Sequence, residues 1–509
     1  MDEDSDHERA RSGAPNRREF VGYTAAGLAG LATVGGTLHA LGATDPGTDT
    51  EAGTQTDDEE STESDAQDDD SAETESTDPP QGPAVTVDEH AAYQYFHTPW
   101  SEIEADLERL ADAGVQTIWV PQPAESKLSW EDQATEEQEG FYESEHPHYG
   151  HLEPHPPLGY QPVDLRNFDS AYGTREELES MIETAHDHGI EVVLDTVLNH
   201  MANPPGPDGP VEWPQFEEDE HFHEYGEIGN CELTGEEEQY MCELLGLPTL
   251  DVEHPEVQEA HRAYLETMAD VGADGLRYDA AAHIWPWYFA EEINPLAENL
   301  GLWRVGEVWD EGNIDRLDRF ADTGMAVFDF PLYETLVSVF EGASMELLAG
   351  AAEPGVVHHR PEVAVTFAQN HDTSGPGVGP DDPEGREIEL AQAYLLAYEG
   401  MPMLFRADLD DPELQALVRV KNEHAEGAAI DRYVDADSYV FERESNLLAG
   451  INKGTDPVSV TVETNWSDRE LTDETDHGQD VTVDENGECS LEIPAAGWVM
   501  YVPSRYSSH

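Results

Sequence analysis

The chain has 509 residues, enough for a large core plus an accessory domain rather than one compact small fold. Its 112 Asp and Glu against 23 Lys and Arg give a formal net charge of −89, which excludes non-specific nucleic-acid binding because phosphates would be repelled. The acids run through the whole length, so the excess reads as a surface adapted to high salt, where charges are screened over roughly 3 Å near molar ionic strength.

In chain order, residues 1–42 read as an export signal. Asn16-Arg17-Arg18-Glu19-Phe20-Val21 is a twin-arginine sequence followed by a weakly apolar Gly/Ala-rich run. A membrane anchor is the alternative, but the glycines and His39 make the run poorly hydrophobic, so no stable span is expected after processing. Residues 43–87 are Asp, Glu, Thr, Ser and Gln with almost no large apolar side chain. They cannot bury enough surface to offset ordering entropy and read as a disordered acidic linker.

From residue 88 to 427, short apolar runs alternate with helix-period segments. The expected strands are Ala91–Phe96, Thr117–Gln122, Glu191–Val197, Gly275–Asp279, Trp303–Val308, Ala326–Phe330, Glu362–Phe367 and Met401–Phe405. Helical segments between them include Ser101–Ala113, Arg175–His188, Pro255–Val271 and Pro331–Leu348. Near-continuous apolar strands alternating with helices predict parallel βαβ units covered on both faces. The α/β class is therefore read as a (β/α)8 TIM barrel, with a doubly wound sheet as the rival. A small excursion domain, residues 200–251, follows strand 3 and carries Cys231 and Cys242, which could close a small loop or remain free thiols. Cys489 has no obvious partner. Residues 428–509 alternate apolar and polar positions and read as a small antiparallel β-sandwich.

In such a barrel, polar residues at the carboxyl ends of strands are the site candidates. Strand 3 ends with Asp195, Asn199 and His200, strand 4 with Arg277, Asp279 and His283, strand 5 with Glu307 and Asp310, and strand 7 with Asn370, His371 and Asp372. Any one acid could be a satisfied strand-end residue. Four such endings in order on one barrel point to a carboxylate site.

These segments, DTVLNH, GLRYDAAAH, VGEVWD and FAQNHD, resemble the four sequence regions of the α-amylase family, glycoside hydrolase family 13. The resemblance runs from about Ala91 to Val502, and VFDFPLYETL and YEGMPMLF look most like the secreted archaeal members. It implies Asp279 as nucleophile, Glu307 as general acid/base and Asp372 as a third carboxylate that orients the sugar. It further implies that Tyr160, His200, Arg277 and His371 bind substrate. A retaining mechanism needs two carboxyls about 5–5.5 Å apart with different proton affinities. Arg277, two residues before Asp279, faces the same way and would keep it ionised. Glu307 would need an apolar or acid-flanked setting to keep its proton.

The resemblance also implies bound Ca2+, with Asn199 and the backbone of His283 among its ligands. Two departures from the family stand out: Ala282 stands where many relatives have Lys, which would weaken binding on the leaving-group side, and Thr249 stands where the family has an acid ligand to calcium. Glu217, Glu218 and Asp219 are further acids in the excursion, and the run His146–Pro157 is a second metal candidate, although its irregular spacing favours a solvated loop. The expected function is secreted, extracellular endo-hydrolysis of α-1,4-glucans by a monomer adapted to salt, exported by the twin-arginine route. Alternatives are a maltooligosaccharide-forming or transglycosylating relative, or a catalytically dead glucan-binding protein.

Overall fold

The computed structural model describes residues 82–96, 98–126, 159–170, 172–202, 213–310, 312–373 and 385–504. The export signal, the run His146–Pro157 and most of the acidic linker lie outside the described residues.

Eight parallel strands close into a barrel in sequential order. They are β1 (Ala92–Gln94), β2 (Thr117–Val120), β3 (Glu191–Val197), β4 (Gly275–Asp279), β5 (Trp303–Gly306), β6 (Ala326–Phe328), β7 (Ala364–Thr366) and β8 (Met401–Phe405). Strands β3, β4 and β8 have the expected bounds, and the others are trimmed at one or both ends. The doubly wound alternative is excluded because β1 pairs with both β2 and β8. Strand residues alternate between two apolar clusters, as period-2 geometry requires. Trp119, Val193, Val305, Phe328, Val365 and Met403 fill the interior, while Ile118, Val192, Leu194 and Leu276 face the helices.

Each strand is followed by a helix: α1 (Trp100–Ala113), α2 (Arg175–Asp187), α3 (Pro255–Asp270), α4 (Asn294–Leu300), α5 (Ile314–Ala321), α6 (Phe330–Phe340), α7 (Arg386–Ala397) and α8 (Pro412–His424). Helix α2 starts at a reciprocal capping box between Thr174 and Glu177. Helix α6 stops earlier than its apolar run implies, because Gly342 takes a left-handed conformation and Ser344 caps a new 3-10 turn. Among the described residues no helix is long and apolar enough to cross a membrane.

The last part of the expected linker is packed. The Gly82 N–H donates to Asp322 O, the Trp303 indole donates to Thr86 O, and Val87 joins the interior cluster at the amino-terminal end of the barrel. A Cβ on Gly82 would fall 1.5 Å from Thr323 O, so only glycine fits there. Residues 82–87 are therefore a short strap under the barrel, anchored by the buried Val87 side chain.

The C-terminal part is antiparallel. Strands β9 (Ala429–Val434), β10 (Ser438–Arg443), β11 (Leu447–Asn452), β12 (Val458–Glu463), β13 (Arg469–Asp473), β14 (Val481–Val483), β15 (Glu488–Ile493) and β16 (Gly497–Pro503) form two sheets. One has the order β9-β10-β11-β16-β13-β14 and the other pairs β12 with β15. Val440, Leu448 and Val499 of the first pack on Val460, Leu491 and Ile493 of the second. Arg443 of β10 fastens this part to the barrel by donating to Ala397 O, Tyr398 O and the Glu89 carboxylate.

In the excursion after β3, Cys231 and Cys242 form a disulfide, which resolves the question the spacing left open. It sits at the end of a short helix, Glu236–Met241, whose Tyr240 packs against Trp285 at 4.5 Å between ring centroids. The excursion returns to the barrel through Met201 N–H to Pro248 O and Leu250 N–H to Asn199 O. Closing this short loop removes about 2–3 kcal/mol of chain entropy from the unfolded state. The double variant Cys231→Ser/Cys242→Ser is expected to melt several degrees lower in molar salt, and an unchanged thermal midpoint would show that the excursion does not depend on the bridge.

Candidate active site

Four strand ends deliver the polar cluster. On β3, Asp195 points inward and is fully buried. On β4, Arg277 and Asp279 are two residues apart and share the interior face, with Arg277 in register beside Asp195 and Asp279 beside Val197. Glu307 follows β5, its N–H donating to Tyr278 O. After β7, Asn370 Oδ1 accepts the N–H groups of Asp372 and Thr373 at 2.8 and 3.0 Å. Thr373 Oγ1 accepts the Asn370 N–H at 2.9 Å, so this turn holds His371 and Asp372 over the barrel mouth.

Arg277 organises the charges. Its Nη1 donates to both Asp195 oxygens at 3.0 Å and to Asp279 Oδ1 at 2.9 Å, and its Nη2 lies 2.9 Å from Glu307 Oε2. It serves both implied catalytic acids, where the sequence placed it beside Asp279 alone. Burial raises the proton affinity of Asp279, Glu307 and Asp372, and Arg277 opposes that rise in each. The Asp372 carboxyl is pushed up to about 6. Asp372 raises the proton affinity of Glu307 more than any other acid around it. The expected acid flank of Glu307 is thus present in Asp372. Asp279 and Glu307 both contact the guanidinium at 2.9 Å, and we assign the negative charge to Asp279 because Asp372 weighs more heavily on Glu307.

Backbone strain contributes too. Ala280, next after Asp279, has φ 47°, a left-handed conformation that a non-glycine residue adopts at a cost of about 1–2 kcal/mol. That turn lets its N–H donate to Glu307 Oε2 at 2.8 Å.

Aromatic rings form the wall. Tyr160 stacks on His371 with centroids 5.3 Å apart, and its hydroxyl donates to Asp195 Oδ2 at 2.8 Å. His371 also packs on Phe96 at 4.6 Å and edge-on to Trp119 at 5.4 Å. His200 lies 4.0 Å from Asp279, but its Nε2–H donates to Tyr160 O at 2.9 Å. Burial and the Arg277 charge keep His371 neutral, and burial does the same for His200. Asp310 stands apart, paired with Arg316 at 3.4 Å, and Trp309 stacks on Phe330.

The structure thus gathers Asp279, Glu307, Asp372, Tyr160, His200, Arg277 and His371 into one site. It adds two groups to that set: Asp195, a strand-end acid without an assigned role, and Trp119, whose indole donates to Asp195 at 3.1 Å. The signal for both lay in the inward period-2 positions of β2 and β3.

The implied calcium ligands do not assemble a site among the described residues. Asn199 Nδ2 contacts His200 Nδ1 at 3.3 Å. His283 Nδ1 donates to Gln239 O, and the Thr249 hydroxyl donates to Cys242 O and Leu247 O. No group of three or more His, Cys, Asp or Glu side chains gathers among the described residues. Calcium takes six to eight oxygens, carboxylates among them, so a carboxamide and a carbonyl alone do not fit it.

Comparison with known proteins finds similarity to α-amylases. The family model for the α-amylase catalytic domain matches residues 100–299. An α-amylase of Aeromonas hydrophila is 28% identical over 354 residues, covering 58% of this chain and 74% of its own length. A cyclomaltodextrin glucanotransferase of a Bacillus species is 24% identical over 408 residues, covering 69% of this chain and 53% of its own. The crystal structure of an Anoxybacillus α-amylase superposes with a TM-score of 0.65 at 18% identity, over 83% of this chain and 99% of that one, a likeness of fold.

Removing the central cation should leave buried carboxyls uncompensated. Arg277→Met is expected to cost about 3–5 kcal/mol at pH 7. Without Arg277 the folded-state carboxyls bind protons more tightly than in the unfolded chain, so the loss grows as pH rises from about 4 to 7. Thermal melts across that range check this, and a penalty independent of pH would contradict it.

Proposed function

We propose that this chain, a glycoside hydrolase of the α-amylase family, cleaves internal α-1,4-glucosidic bonds of starch-like glucans with retention at the anomeric carbon. The observation that carries the reading is the convergence of Asp279 and Glu307 on one guanidinium, with Asp372 raising the proton affinity of Glu307. Asp279, held by Arg277, attacks the anomeric carbon. Glu307 gives its proton to the leaving oxygen, then takes one from the water that hydrolyses the glycosyl-enzyme. Asp372 and His371 hold sugar hydroxyls, Tyr160 offers its ring face to the sugar, and the neutral His200 borders the nucleophile. Arg277, Trp119 and Asp195 fix this constellation before substrate arrives. Every step uses side chains only.

A second reading is favoured by the glucanotransferase relative: the same glycosyl-enzyme could pass to a sugar hydroxyl instead of water. The two differ in the acceptor, not in the acids. The twin-arginine sequence Arg17-Arg18 and the resemblance to secreted archaeal members support export to the extracellular space, and the net charge of −89 supports work at high salt.

The experiment compares the enzyme with Asp279→Asn on soluble starch in molar salt, following viscosity and reducing ends together. Endo-hydrolysis gives a fast viscosity drop with few reducing ends, and the variant loses it by about 10⁴-fold or more. Cyclic or lengthened products would move the assignment to transglycosylation, and glucan binding without turnover would leave a binding protein. Repeating the assay in dilute buffer should abolish activity, and full activity there would refute the salt adaptation.

A further inference from the structure

The His371 ring is held on three faces by aromatic groups, and its Nε2 lies 3.2 Å from Asp372 Oδ2. Its other nitrogen, Nδ1, meets a group from β1, which only β8 separates from β7. Gln94 is the last residue of β1, in register beside Trp119 and Phe405 and 1% exposed. Its amide Nε2 is 2.7 Å from His371 Nδ1, and its Oε1 has no hydrogen-bond partner among the described residues.

A neutral imidazole carries one proton. Were Gln94 reversed, Oε1 would accept from an Nδ1–H, and the bare Nε2 lone pair would face the Asp372 carboxyl. With Nε2 of Gln94 donating, Nδ1 is the acceptor and the ring proton lies on the other nitrogen. We infer that Gln94 is a positioning residue: its amide N–H fixes the tautomer of His371, so that Nε2–H points at Asp372 and at the sugar hydroxyl the two residues share. The inference rests on the glucan-hydrolase reading above.

The groups facing His371 bear this out. Asp372 stands on its own turn, Asp195 on β3, Arg277 on β4 and Arg406 just after β8. Burial and the two arginines oppose a second proton on the ring, with Asp195 acting the other way, and the imidazole pKa falls to about 3. His371 therefore stays neutral through the working range. Its donor face is set by tautomer rather than by charge, and a neighbouring amide can set it at any pH.

Two substitutions test this against a packing role. In Gln94→Glu a carboxylate faces Nδ1 and draws the proton there, leaving Nε2 bare. Nε2–H returns only when the ring takes a second proton, which the new negative charge favours as pH falls. The ratio of variant to wild-type kcat/KM should therefore drop by about tenfold or more as pH rises through the new imidazolium pKa. Gln94→Met supplies no donor and should lose about tenfold at every pH, with no new limb. Thermal midpoints in molar salt, expected within a few degrees of wild type, separate this from unfolding. If Gln94→Glu does not fold, a stable, weakened Gln94→Met still supports the role. A Gln94→Glu profile parallel to wild type, or a fully active Gln94→Met, overturns it. Wild type inactive on α-glucans would overturn the functional reading and this role together, whereas active wild type with an unshifted Gln94→Glu profile overturns this role alone.

Discussion

The guanidinium of Arg277 is the constraint on which the site depends. It is 1% exposed and touches Asp195, Asp279 and Glu307 at 2.9–3.0 Å, so three carboxyls from three consecutive strands meet one cation. Burying such an ion costs several kcal/mol, and the contacts offset that cost only if their geometry is fixed. The barrel fixes it. Strands β3, β4 and β5 are hydrogen-bonded neighbours, so the three acids cannot move apart without breaking parallel pairing. A lysine could not substitute, since one point charge cannot address three carboxyls in a planar fork.

The proton distribution follows from the same contact. The two terminal nitrogens of the cation serve three carboxyl partners. Nη1 serves Asp195 and Asp279, and Nη2 serves Glu307. Glu307 is pulled two ways, toward ionisation by Nη2 and the Ala280 N–H, and toward protonation by burial and Asp372. A group balanced in this way can give a proton and take it back, which a two-step retaining reaction requires of one residue. The rings above and below hold the balance steady. The guanidinium lies 4.7 Å from the Trp119 ring and 5.5 Å from the Tyr160 ring, so the cation is gripped by π-faces as well as by carboxyls.

Much of this was legible because the strands that carry it are short, apolar and bounded. EVVLDTV, GLRYD and MPMLF read as strands and are strands, since both faces of a parallel barrel are covered. The strand expected at Glu362–Phe367 begins two residues later because Pro361 starts a 3-10 turn that the apolar count ignores. The acids were legible as strand-end residues, but their division of labour was not. Spacing shows that Arg277 and Asp279 share a face, yet not that the cation reaches across to Glu307 or that Asp195 completes its shell. Gln94 lay in a strand with no chemistry of its own, and only barrel closure brings β1 near the turn after β7. The packed strap at 82–87 was hidden for the opposite reason: a buried Val87 and a tight Gly82 outweigh the polar composition of the linker when a ready surface lies beneath them.

Surface charge and site charge answer to different variables. The excess of acids lies along the whole chain and repels itself through water, so salt screens it over a few ångströms. The site carboxyls are buried against Arg277 and a wall of rings, where mobile ions do not reach and the partner is a fixed guanidinium. Under the proposed salt adaptation, salt acts on whether the barrel stays closed, and closure decides whether Arg277 meets its three acids. Because Asp195 and Glu307 come from the strands on either side of the one that carries Arg277 and Asp279, opening the barrel removes them from the cation. The salt dependence of activity and of folding should therefore coincide, and the pH dependence at any salt that keeps the barrel folded should be the same.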